Sequence, residues 1–318
     1  MAQNNFRFFD FECLDTESIQ AIFSKYNSEL LVQNIAPIAT GMSTINYMVE
    51  ARNKKYLLKV YPRSNDRSPI EIAAYKHAGN IIKVPEVLYF DNCKTIINNT
   101  YGIFQYIDGF TLKEYVSKNK GFSNNVAYKI GSMLGLLHGK EYSSAASLNV
   151  DFSIKKELIP FENQYEYYLN GMAGKYLNEI VKGDLEHFIE DNRHLIKRIS
   201  EKNVLCHGDF IPSNILIDHN DTPWFIDFEY CLSMPCYYDI GKIFRTRTNF
   251  SQYIDDKTKS DFAEGYNSTS LRTLPDDWYR LSRIADIVVM LMLINRDNIP
   301  NHWIGEIEKE IITVMNLK

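Results

Sequence analysis

The segment VLCHGDFIPSNILI, residues 204–217, places three polar side chains of catalytic type between two short apolar runs. The runs VLC and ILI have the length and apolar character of short buried strands. A glycine, a proline and a serine interrupt them, which predicts a loop between two strands. His207, Asp209 and Asn214 therefore lie on a loop whose ends are fixed in the core, a common location for catalytic residues.

A second polar segment follows directly, where the runs ILID and WFID flank a polar stretch around Asp221. This pattern predicts a β-hairpin, which would return Asp227 to the neighbourhood of Asn214 and Asp209. Carboxylate and amide oxygens suit Mg²⁺, whereas zinc sites use thiolates or imidazoles. The three residues therefore indicate phosphoryl transfer, in which one carboxylate deprotonates the acceptor hydroxyl and the other two groups hold the metal.

The N-terminal half contains residues suited to binding a nucleotide. In ATGMSTINYMV, Gly41, Ser43 and Thr44 could present backbone N–H and hydroxyl groups to phosphate oxygens. Lys59 lies in the strand-like run YLLKVY, and alternation along a strand directs it away from its apolar neighbours. Glu71, on the helix that follows, is placed to form an ion pair with that lysine, as in kinase-type phosphate sites.

The order of predicted elements divides the chain into two parts. Asp15 and Thr16 precede ESIQAIFSKY, which is predicted to be a capped helix, and strand-like runs follow at 45–51, 55–61, 86–90 and 101–107, with a helix near 69–78 between them. After IDGFTL the pattern becomes mostly helical. We therefore expect a small, mostly β N-terminal part and a larger helical C-terminal part.

Composition excludes several classes of protein. The chain has 318 residues, of which 45% are hydrophobic and 24% charged, as in ordinary globular proteins. A net charge of −5 predicts no affinity for nucleic acid or anionic membranes. Five scattered cysteines without a CxxC pair favour reduced thiols, and the N-terminal sequence lacks a signal-peptide pattern. We therefore expect a cytoplasmic protein.

Taken together, HGDFIPSN, IDFE, the upstream YLLKVY and the intervening FQYIDGFTL resemble the aminoglycoside phosphotransferase and choline kinase superfamily. The resemblance covers nearly the whole chain in order. It implies an α+β, bilobal protein-kinase-like fold, with a small antiparallel-sheet N-lobe at 1–106 carrying one key helix and a larger helical C-lobe at 107–318. It also implies ATP and Mg²⁺ as cofactors.

The resemblance further implies roles for individual residues. Asp209 matches the family's catalytic base, while Asn214 and Asp227 match its metal ligands. His207 matches a histidine that supports the catalytic loop, and Asp239, in YYDIG, matches an aspartate that braces it.

The segment Gln105, Tyr106 and Ile107 matches the hinge whose backbone binds adenine in this family. The short segment 228–238 leaves no room for the peptide-binding activation segment of a protein kinase. The long segment between His138 and His207 instead offers extra helices for an acceptor pocket. The resemblance therefore implies a nucleotide and a small molecule as binding partners.

Three functions fit these features. The first is an aminoglycoside-type kinase that phosphorylates a hydroxyl of a small, amine-bearing acceptor. The second is a metabolic kinase of choline, ethanolamine or homoserine, because IDFEY resembles choline kinases whereas STINYMV resembles homoserine kinases. The third is a nucleotide-binding pseudokinase, against which the complete set of catalytic residue types argues. Carboxylates in the acceptor pocket would favour an aminoglycoside acceptor. Aromatic walls would favour choline, and a basic residue would favour homoserine.

Overall fold

The computed structural model describes residues 13–38, 44–63, 66–123, 125–245 and 249–317. They form an α+β structure that divides into two compact units. Unit 1 comprises the described residues up to Asn80 together with Val84–Asp108. Unit 2 comprises Ile81–Lys83 together with the described residues from Gly109 onward. The predicted fold class, an antiparallel sheet in the N-terminal part followed by a mostly helical part, is confirmed.

Unit 1 contains one antiparallel sheet of five strands in the order β1-β2-β3-β5-β4. Arg52 and Asn53 both have positive φ, as in the two-residue turns that join tightly paired strands, and they connect β2 to β3. The elements are α1 (Thr16–Tyr26), β1 (Val32–Ile38), β2 (Ile45–Ala51), β3 (Lys54–Val60), α2 (Ser68–Ala78), β4 (Val87–Asp91) and β5 (Tyr101–Gln105).

The sheet of unit 1 buries apolar side chains on the face that α1 covers. Ile22 and Phe23 of α1 join Leu58 and Val60 of β3 in one buried cluster. The predicted cap of α1 is present, because the Asp15 carboxylate accepts a hydrogen bond of 2.7 Å from the Ser18 N–H. Since side chains alternate along a strand, this packing leaves the residue between Leu58 and Val60 on the opposite face.

Unit 2 combines ten helices with two small antiparallel sheets in the described part of the chain. The sheets have the orders β7-β10-β13-β8-β9 and β12-β11-β6. The strands are β6 (Gly109–Thr111), β7 (Glu141–Tyr142), β8 (Ala146–Leu148), β9 (Ile154–Glu157), β10 (Asn203–Cys206), β11 (Ile215–Asp218), β12 (Pro223–Phe225) and β13 (Leu232–Pro235). The helices are α3 (Leu112–Asn119), α4 (Val126–Leu137), α5 (Phe161–Leu169), α6 (Met172–Tyr176), α7 (Glu179–Asp191), α8 (Arg193–Ser200), α9 (Tyr237–Ile243), α10 (Asp256–Thr269), α11 (Trp278–Ile294) and α12 (Asn301–Met315).

Glycines allow α4 and α10 to pack closely in unit 2. A Cβ atom on Gly131 would lie 2.1 Å from the Phe262 carbonyl oxygen, and one on Gly265 would lie 2.0 Å from the Tyr128 carbonyl oxygen. No larger residue fits at either position without moving a backbone. This contact fixes the end of α4, where His138 follows the helix.

A buried network of ion pairs joins α9, α11 and α12. Arg245 donates two hydrogen bonds to Asp286, of 2.8 and 2.5 Å. Arg283, which is almost fully buried, contacts Asp286 at 3.1 Å, the Gly241 carbonyl oxygen at 2.8 Å and the Glu310 carboxylate. Breaking one such buried pair typically costs about 3–5 kcal/mol, so the network holds α9 firmly in place.

Most of the predicted elements are confirmed within a few residues, including the helices and strands of unit 1 and the strands on either side of the polar loop. Strands β1, β6, β7, β8, β9 and β13 were not predicted. Apart from β1 they are short, and three of them have at most three residues. No helix among the described residues has the length and apolar character needed to cross a membrane.

Candidate active site

The polar loop of unit 2 connects β10 to β11, as the sequence predicts. β10 ends at Cys206, a 3₁₀ turn covers Pro212–Asn214, and β11 begins at Ile215. Gly208 has a φ of +87°, and a Cβ atom there would lie 1.9 Å from the Tyr230 carbonyl oxygen. The loop therefore packs directly against the segment that follows β12, and only glycine permits this approach.

The predicted hairpin between ILID and WFID is present. β11 and β12 pair antiparallel, with Ile215 opposite Phe225, and the Ile226 N–H donates to the Asn214 carbonyl oxygen at 3.0 Å. Asp227 is the next residue after Ile226, so it lies beside the Asn214 backbone. The hairpin brings the loop and Asp227 together as predicted.

Asp209 and Asn214 are in direct contact. The Asn214 Nδ2 group donates to a carboxylate oxygen of Asp209 and to its backbone carbonyl oxygen, both at 2.9 Å. Enclosure by the protein raises the pKa of Asp209, and the negative charge of Asp227 adds to this, while the positive charge of Lys242 opposes it. A carboxylate with a raised pKa is a better proton acceptor, which suits a general base.

Asp227 has a φ of +70°, an uncommon conformation for a residue other than glycine. Such conformations cost on the order of 1 kcal/mol or more and persist where the surrounding structure requires them, often in active sites. The Asn214 amide nitrogen is engaged with Asp209, so its amide oxygen is the atom suited to a cation. This oxygen and the Asp227 carboxylate are hard donors, the kind of ligand that Mg²⁺ prefers.

His207 has a supporting position, as the resemblance implies. Its Nε2–H donates to the Ile226 carbonyl oxygen at 2.9 Å, and its Nδ1 accepts from the Asp209 N–H at 3.3 Å. Burial lowers the pKa of His207, which agrees with a neutral ring. The ring also packs against Phe228, with 4.4 Å between centroids. His207 thereby joins the two polar segments.

Asp239 braces the loop from α9. Its carboxylate is fully buried and accepts hydrogen bonds from the His207 N–H at 2.6 Å, the Gly208 N–H at 3.0 Å and the His138 Nε2–H at 3.3 Å. Burial by itself would raise the pKa of Asp239, but the hydrogen bond from His138 and the charge of Lys242 hold this pKa below its usual value.

Lys242 is a site residue that the sequence analysis missed. Its ammonium group is buried, donates to the Gly208 carbonyl oxygen and lies 3.4 Å above the centre of the Tyr238 ring. The available signal was a lysine inside the apolar run IGKIF, three residues after Asp239. That spacing on a helix indicates a pair of opposite charges.

His138, Cys206 and Asp239 also lie close enough together to resemble a metal site. However, His138 accepts a hydrogen bond from the Tyr266 hydroxyl at 2.9 Å and donates to Asp239. Burial raises the pKa of the Cys206 thiol well above its usual value, which favours the protonated thiol, and this thiol donates to the Met234 carbonyl oxygen at 3.4 Å. The cluster therefore supports the loop, in agreement with the expected structural role of His138.

In unit 1, the predicted ion pair between Lys59 and Glu71 is present. The Lys59 Nζ lies 2.6 Å from a Glu71 carboxylate oxygen, and both side chains are buried. The alternation along β3 places Leu58 and Val60 in the core beneath α1 and directs Lys59 to the face that carries α2. Asn46, which the sequence analysis did not single out, lies opposite Lys59 across the β2–β3 pair.

The other predicted nucleotide contacts are only partly within the described structure. Gly41 and Ser43 lie outside the described residues. Thr44 is buried, with its hydroxyl 3.4 Å from the Asn46 side-chain oxygen. Its proposed contact with phosphate stays a prediction.

The predicted hinge begins at Gln105, the last residue of β5. The Gln105 N–H donates to the Glu86 carbonyl oxygen at 2.9 Å, so this amide is already engaged. Among the described residues, the backbone amides of Tyr106 and Ile107 make no backbone hydrogen bond. These two amides are therefore suited to contact an adenine ring.

The fold of the two units and the braced loop define a kinase-like phosphotransferase, and comparison with known proteins agrees. The chain matches the phosphotransferase enzyme family, APH, over residues 34–281. It belongs to this family and is a small-molecule phosphotransferase that acts on hydroxyl groups. The family resemblance drawn from the sequence is confirmed.

Several solved structures share the fold. A thermostable mutant of aminoglycoside phosphotransferase APH(4)-Ia, in a ternary complex with ADP and hygromycin B, has a TM-score of 0.66 at 13% identity, covering 94% of this chain and 98% of that one. Ethanolamine kinase of Plasmodium vivax has a TM-score of 0.59 at 20% identity, with 96% and 90% covered. Choline kinase LicA of Streptococcus pneumoniae has a TM-score of 0.56 at 14% identity, with 94% and 99% covered. At these identities the likeness is one of fold.

Proposed function

We propose that this phosphotransferase moves the γ-phosphoryl group of ATP to a hydroxyl of a small, amine-bearing acceptor. The observation that supports this most strongly is the Asp209–Asn214 contact on a loop that His207, Asp239 and Lys242 hold in place. Phosphoryl transfer is catalysed mainly by positioning and by stabilisation of charge, so a rigid, oxygen-rich loop is what the reaction needs.

In the proposed mechanism, Asp209 accepts a hydrogen bond from the acceptor hydroxyl and takes its proton as the oxygen attacks the γ-phosphorus. The bond from the γ-phosphorus to the β–γ bridging oxygen breaks at the same time, and ADP leaves. The Asn214 amide holds the Asp209 carboxylate in a fixed orientation through its 2.9 Å hydrogen bond. The raised pKa of Asp209 favours this proton transfer.

Asn214 and Asp227 would hold Mg²⁺, which would neutralise charge on the phosphates. Lys59, oriented by Glu71, would bind phosphate oxygens. The backbone of Tyr106 and Ile107 would contact adenine, and Gln105, Gly41, Ser43 and Thr44 complete the proposed nucleotide-binding set.

The alternative acceptors are choline, ethanolamine and homoserine. The named relatives include an aminoglycoside phosphotransferase, an ethanolamine kinase and a choline kinase, and the first of these was solved with ADP and hygromycin B. The complex with ADP and hygromycin B supports nucleotide use by this fold, and the named kinases support small hydroxyl-bearing acceptors. A pseudokinase is a weaker alternative, because the chain has all the catalytic residue types that the proposed mechanism needs, at Lys59, Glu71, Asp209, Asn214 and Asp227.

The test is a coupled ADP-release assay with Mg²⁺-ATP and a panel of aminoglycosides, choline, ethanolamine and homoserine. Asp209→Asn is expected to reduce acceptor-dependent kcat by at least about a thousandfold while the Kd for ATP changes less than about threefold. Asp184→Asn, which alters an exposed aspartate on α7, is the matched control. Wild-type turnover by Asp209→Asn would show that the assigned base is wrong. Nucleotide binding without transfer to any acceptor would favour the pseudokinase.

A further inference from the structure

Tyr61 lies directly after β3 and continues the alternation of that strand. Its N–H donates to the Thr100 carbonyl oxygen at 2.9 Å, so the backbone at this position still pairs with the neighbouring segment. Side chains two residues apart in an extended chain lie on the same face, which places Tyr61 on the face of Lys59. The Lys59 Nζ accordingly lies 5.5 Å from the centre of the Tyr61 ring, within the range of a cation–π contact.

The surroundings hold Tyr61 and the start of α2 together. The Tyr61 side chain is 1% exposed, and its carbonyl oxygen accepts a hydrogen bond of 2.8 Å from the Asn99 side-chain amide. The Thr100 hydroxyl donates to the Asp66 carboxylate at 2.5 Å, and the same carboxylate accepts from the Ser68 N–H at 2.9 Å. Thr100 therefore contacts both the Tyr61 backbone and the residue that holds the first turn of α2.

The Tyr61 hydroxyl is a buried donor. In the described part of the chain it has no hydrogen-bond partner. Such groups are rare in folded proteins, because burial removes their hydrogen bonds to water. Tyr101, another buried tyrosine of the same sheet, shows the usual arrangement, since its hydroxyl donates to the Asp91 carboxylate at 3.0 Å. Tyr61 thus has a hydrogen-bonding capacity that the packing of unit 1 does not use.

This hydroxyl lies close to the ion pair between Lys59 and Glu71. Burial raises the pKa of Tyr61 well above its usual value, the charge of Glu71 raises it further, and the charge of Lys59 opposes the rise. The Glu71 side chain is fully buried, in the first turn of α2. A cation, a carboxylate and a hydroxyl are therefore enclosed together on one face of the sheet.

Phosphate binding by Lys59 would change the surroundings of Glu71. In the structure, the Lys59 ammonium group lies 2.6 Å from the Glu71 carboxylate, and the two side chains are 7% and 0% exposed. An ammonium group has three N–H donors, and those that turn to phosphate oxygens no longer serve the carboxylate. A buried carboxylate that loses part of its pairing is destabilised, which opposes nucleotide binding. A second donor beside the carboxylate removes this opposition.

We infer that Tyr61 is a positioning residue for the nucleotide, whose hydroxyl donates to the Glu71 carboxylate when Lys59 binds the phosphates. The inference rests on the proposed phosphate contact of Lys59. It adds a residue that acts through Glu71 and does not touch the nucleotide. Because the hydroxyl gains its partner only with phosphate bound, it favours the nucleotide complex over the free protein.

Tyr61→Phe removes the hydroxyl and keeps the ring, so it separates nucleotide binding from stability. The Kd for Mg²⁺-ATP, measured by calorimetric titration, is expected to rise about tenfold, the usual contribution of a hydrogen bond to a charged group. The Kd for adenosine is expected to change less than about twofold, because adenosine has no phosphate that draws Lys59 from Glu71. The melting temperature should stay the same or rise slightly, since the free protein loses only a donor without a partner.

Tyr101→Phe is the matched control, since the Tyr101 hydroxyl is bonded to Asp91 in the same sheet. This control is expected to lower the melting temperature and to leave the Kd for ATP unchanged, which is the opposite pattern. A similar rise in that Kd for both variants would mean that loss of either hydroxyl loosens the sheet, and would overturn the inference. An unchanged Kd for ATP in Tyr61→Phe, or an equal weakening of adenosine binding, would also overturn it.

Glu71→Gln tests whether Tyr61 acts through the carboxylate. In the Glu71→Gln background, Tyr61→Phe is expected to raise the Kd for ATP by less than about a further twofold, because the charged acceptor is gone. A full additional tenfold rise, as about the size expected in the wild-type background, would show that Tyr61 acts independently of Glu71 and would overturn the inference.

ADP release with the acceptor panel separates this inference from the proposed function. ATP binding that Tyr61→Phe weakens, without transfer to any acceptor by the wild type, would support the role of Tyr61 and count against the proposed transfer. Transfer by the wild type, with an ATP affinity that Tyr61→Phe leaves unchanged, would overturn the inference while the proposed function stands.

Discussion

Asp239→Asn tests whether the hydrogen bonds that Asp239 accepts from the loop hold the catalytic residues in position. The Asp239 carboxylate accepts three hydrogen bonds, two from loop backbone N–H groups and one from His138. An asparagine has a single side-chain acceptor oxygen, so its NH₂ group would face at least one of these donors. One buried donor is then unsatisfied, at a cost of about 1–3 kcal/mol.

The same substitution removes the negative charge that most favours the charged form of the buried Lys242. Removing one of two interacting buried charges costs up to about 3–5 kcal/mol. Because the two effects overlap, we expect the free energy of unfolding to fall by about 3–5 kcal/mol in total. Such a loss is a large part of the stability of a typical domain.

Urea unfolding at pH 7.5 measures this loss, with Asp184→Asn as the control. The control is expected to change the free energy by less than about 0.5 kcal/mol, because its side chain is exposed. Asp209 is expected to lose its fixed position, so kcat should fall even where the variant is fully folded. A loss of less than about 1 kcal/mol, with kcat unchanged, would refute the reasoning.

The effect of Asp239→Asn should also depend on pH. The pKa of Asp239 is lower in the folded protein than its usual value, so its stabilising contribution is complete above the unfolded-state pKa, about 3.9, and is lost as the pH falls through the folded-state pKa. The difference between wild type and variant should therefore be constant from pH 8 to about 5 and shrink below about 4. A difference that shrank on raising the pH would contradict this assignment.

Two further predictions test other parts of the site. Lys59→Met should lower the free energy of unfolding by about 3–5 kcal/mol because it leaves Glu71 as a buried charge. Adding Glu71→Leu to the Lys59→Met variant should restore the free energy of unfolding but not the wild-type KM for ATP. Recovery of both quantities would show that the pair has no role in nucleotide binding. Gly208→Ala should lower both stability and kcat, because its Cβ would lie 1.9 Å from the Tyr230 carbonyl oxygen. Thermal unfolding and an ADP-release assay measure the stability and kcat of Gly208→Ala. Wild-type values of both would show that the loop accommodates a Cβ atom easily.

The amino-acid sequence determined the features that depend on local spacing. Two strands around a polar loop, followed by a hairpin, were enough to bring Asp209, Asn214 and Asp227 into one part of the fold. Alternation along one strand directed Lys59 away from the apolar core, and helix position made Glu71 its partner. These predictions hold because strand and helix periodicities act over a few residues.

Only the tertiary structure decided which distant segments support the loop. Lys242 reaches the Gly208 carbonyl oxygen, Asp239 joins His138 to the loop, and β13 pairs with β10. Such contacts join segments far apart in sequence, and several of the strands involved are too short to show a pattern.

A depression on unit 2 between α5, α6 and the end of α11 was equally inaccessible to the sequence. Asn163 and Glu166 look like ordinary exposed residues of an amphipathic helix, and Asn295 comes more than a hundred residues later. They line one depression because Tyr165 anchors α5 to α11 and Gly171 admits the Asn295 side chain. Local periodicity shows which face of a helix is exposed, but packing between helices decides what that face encloses.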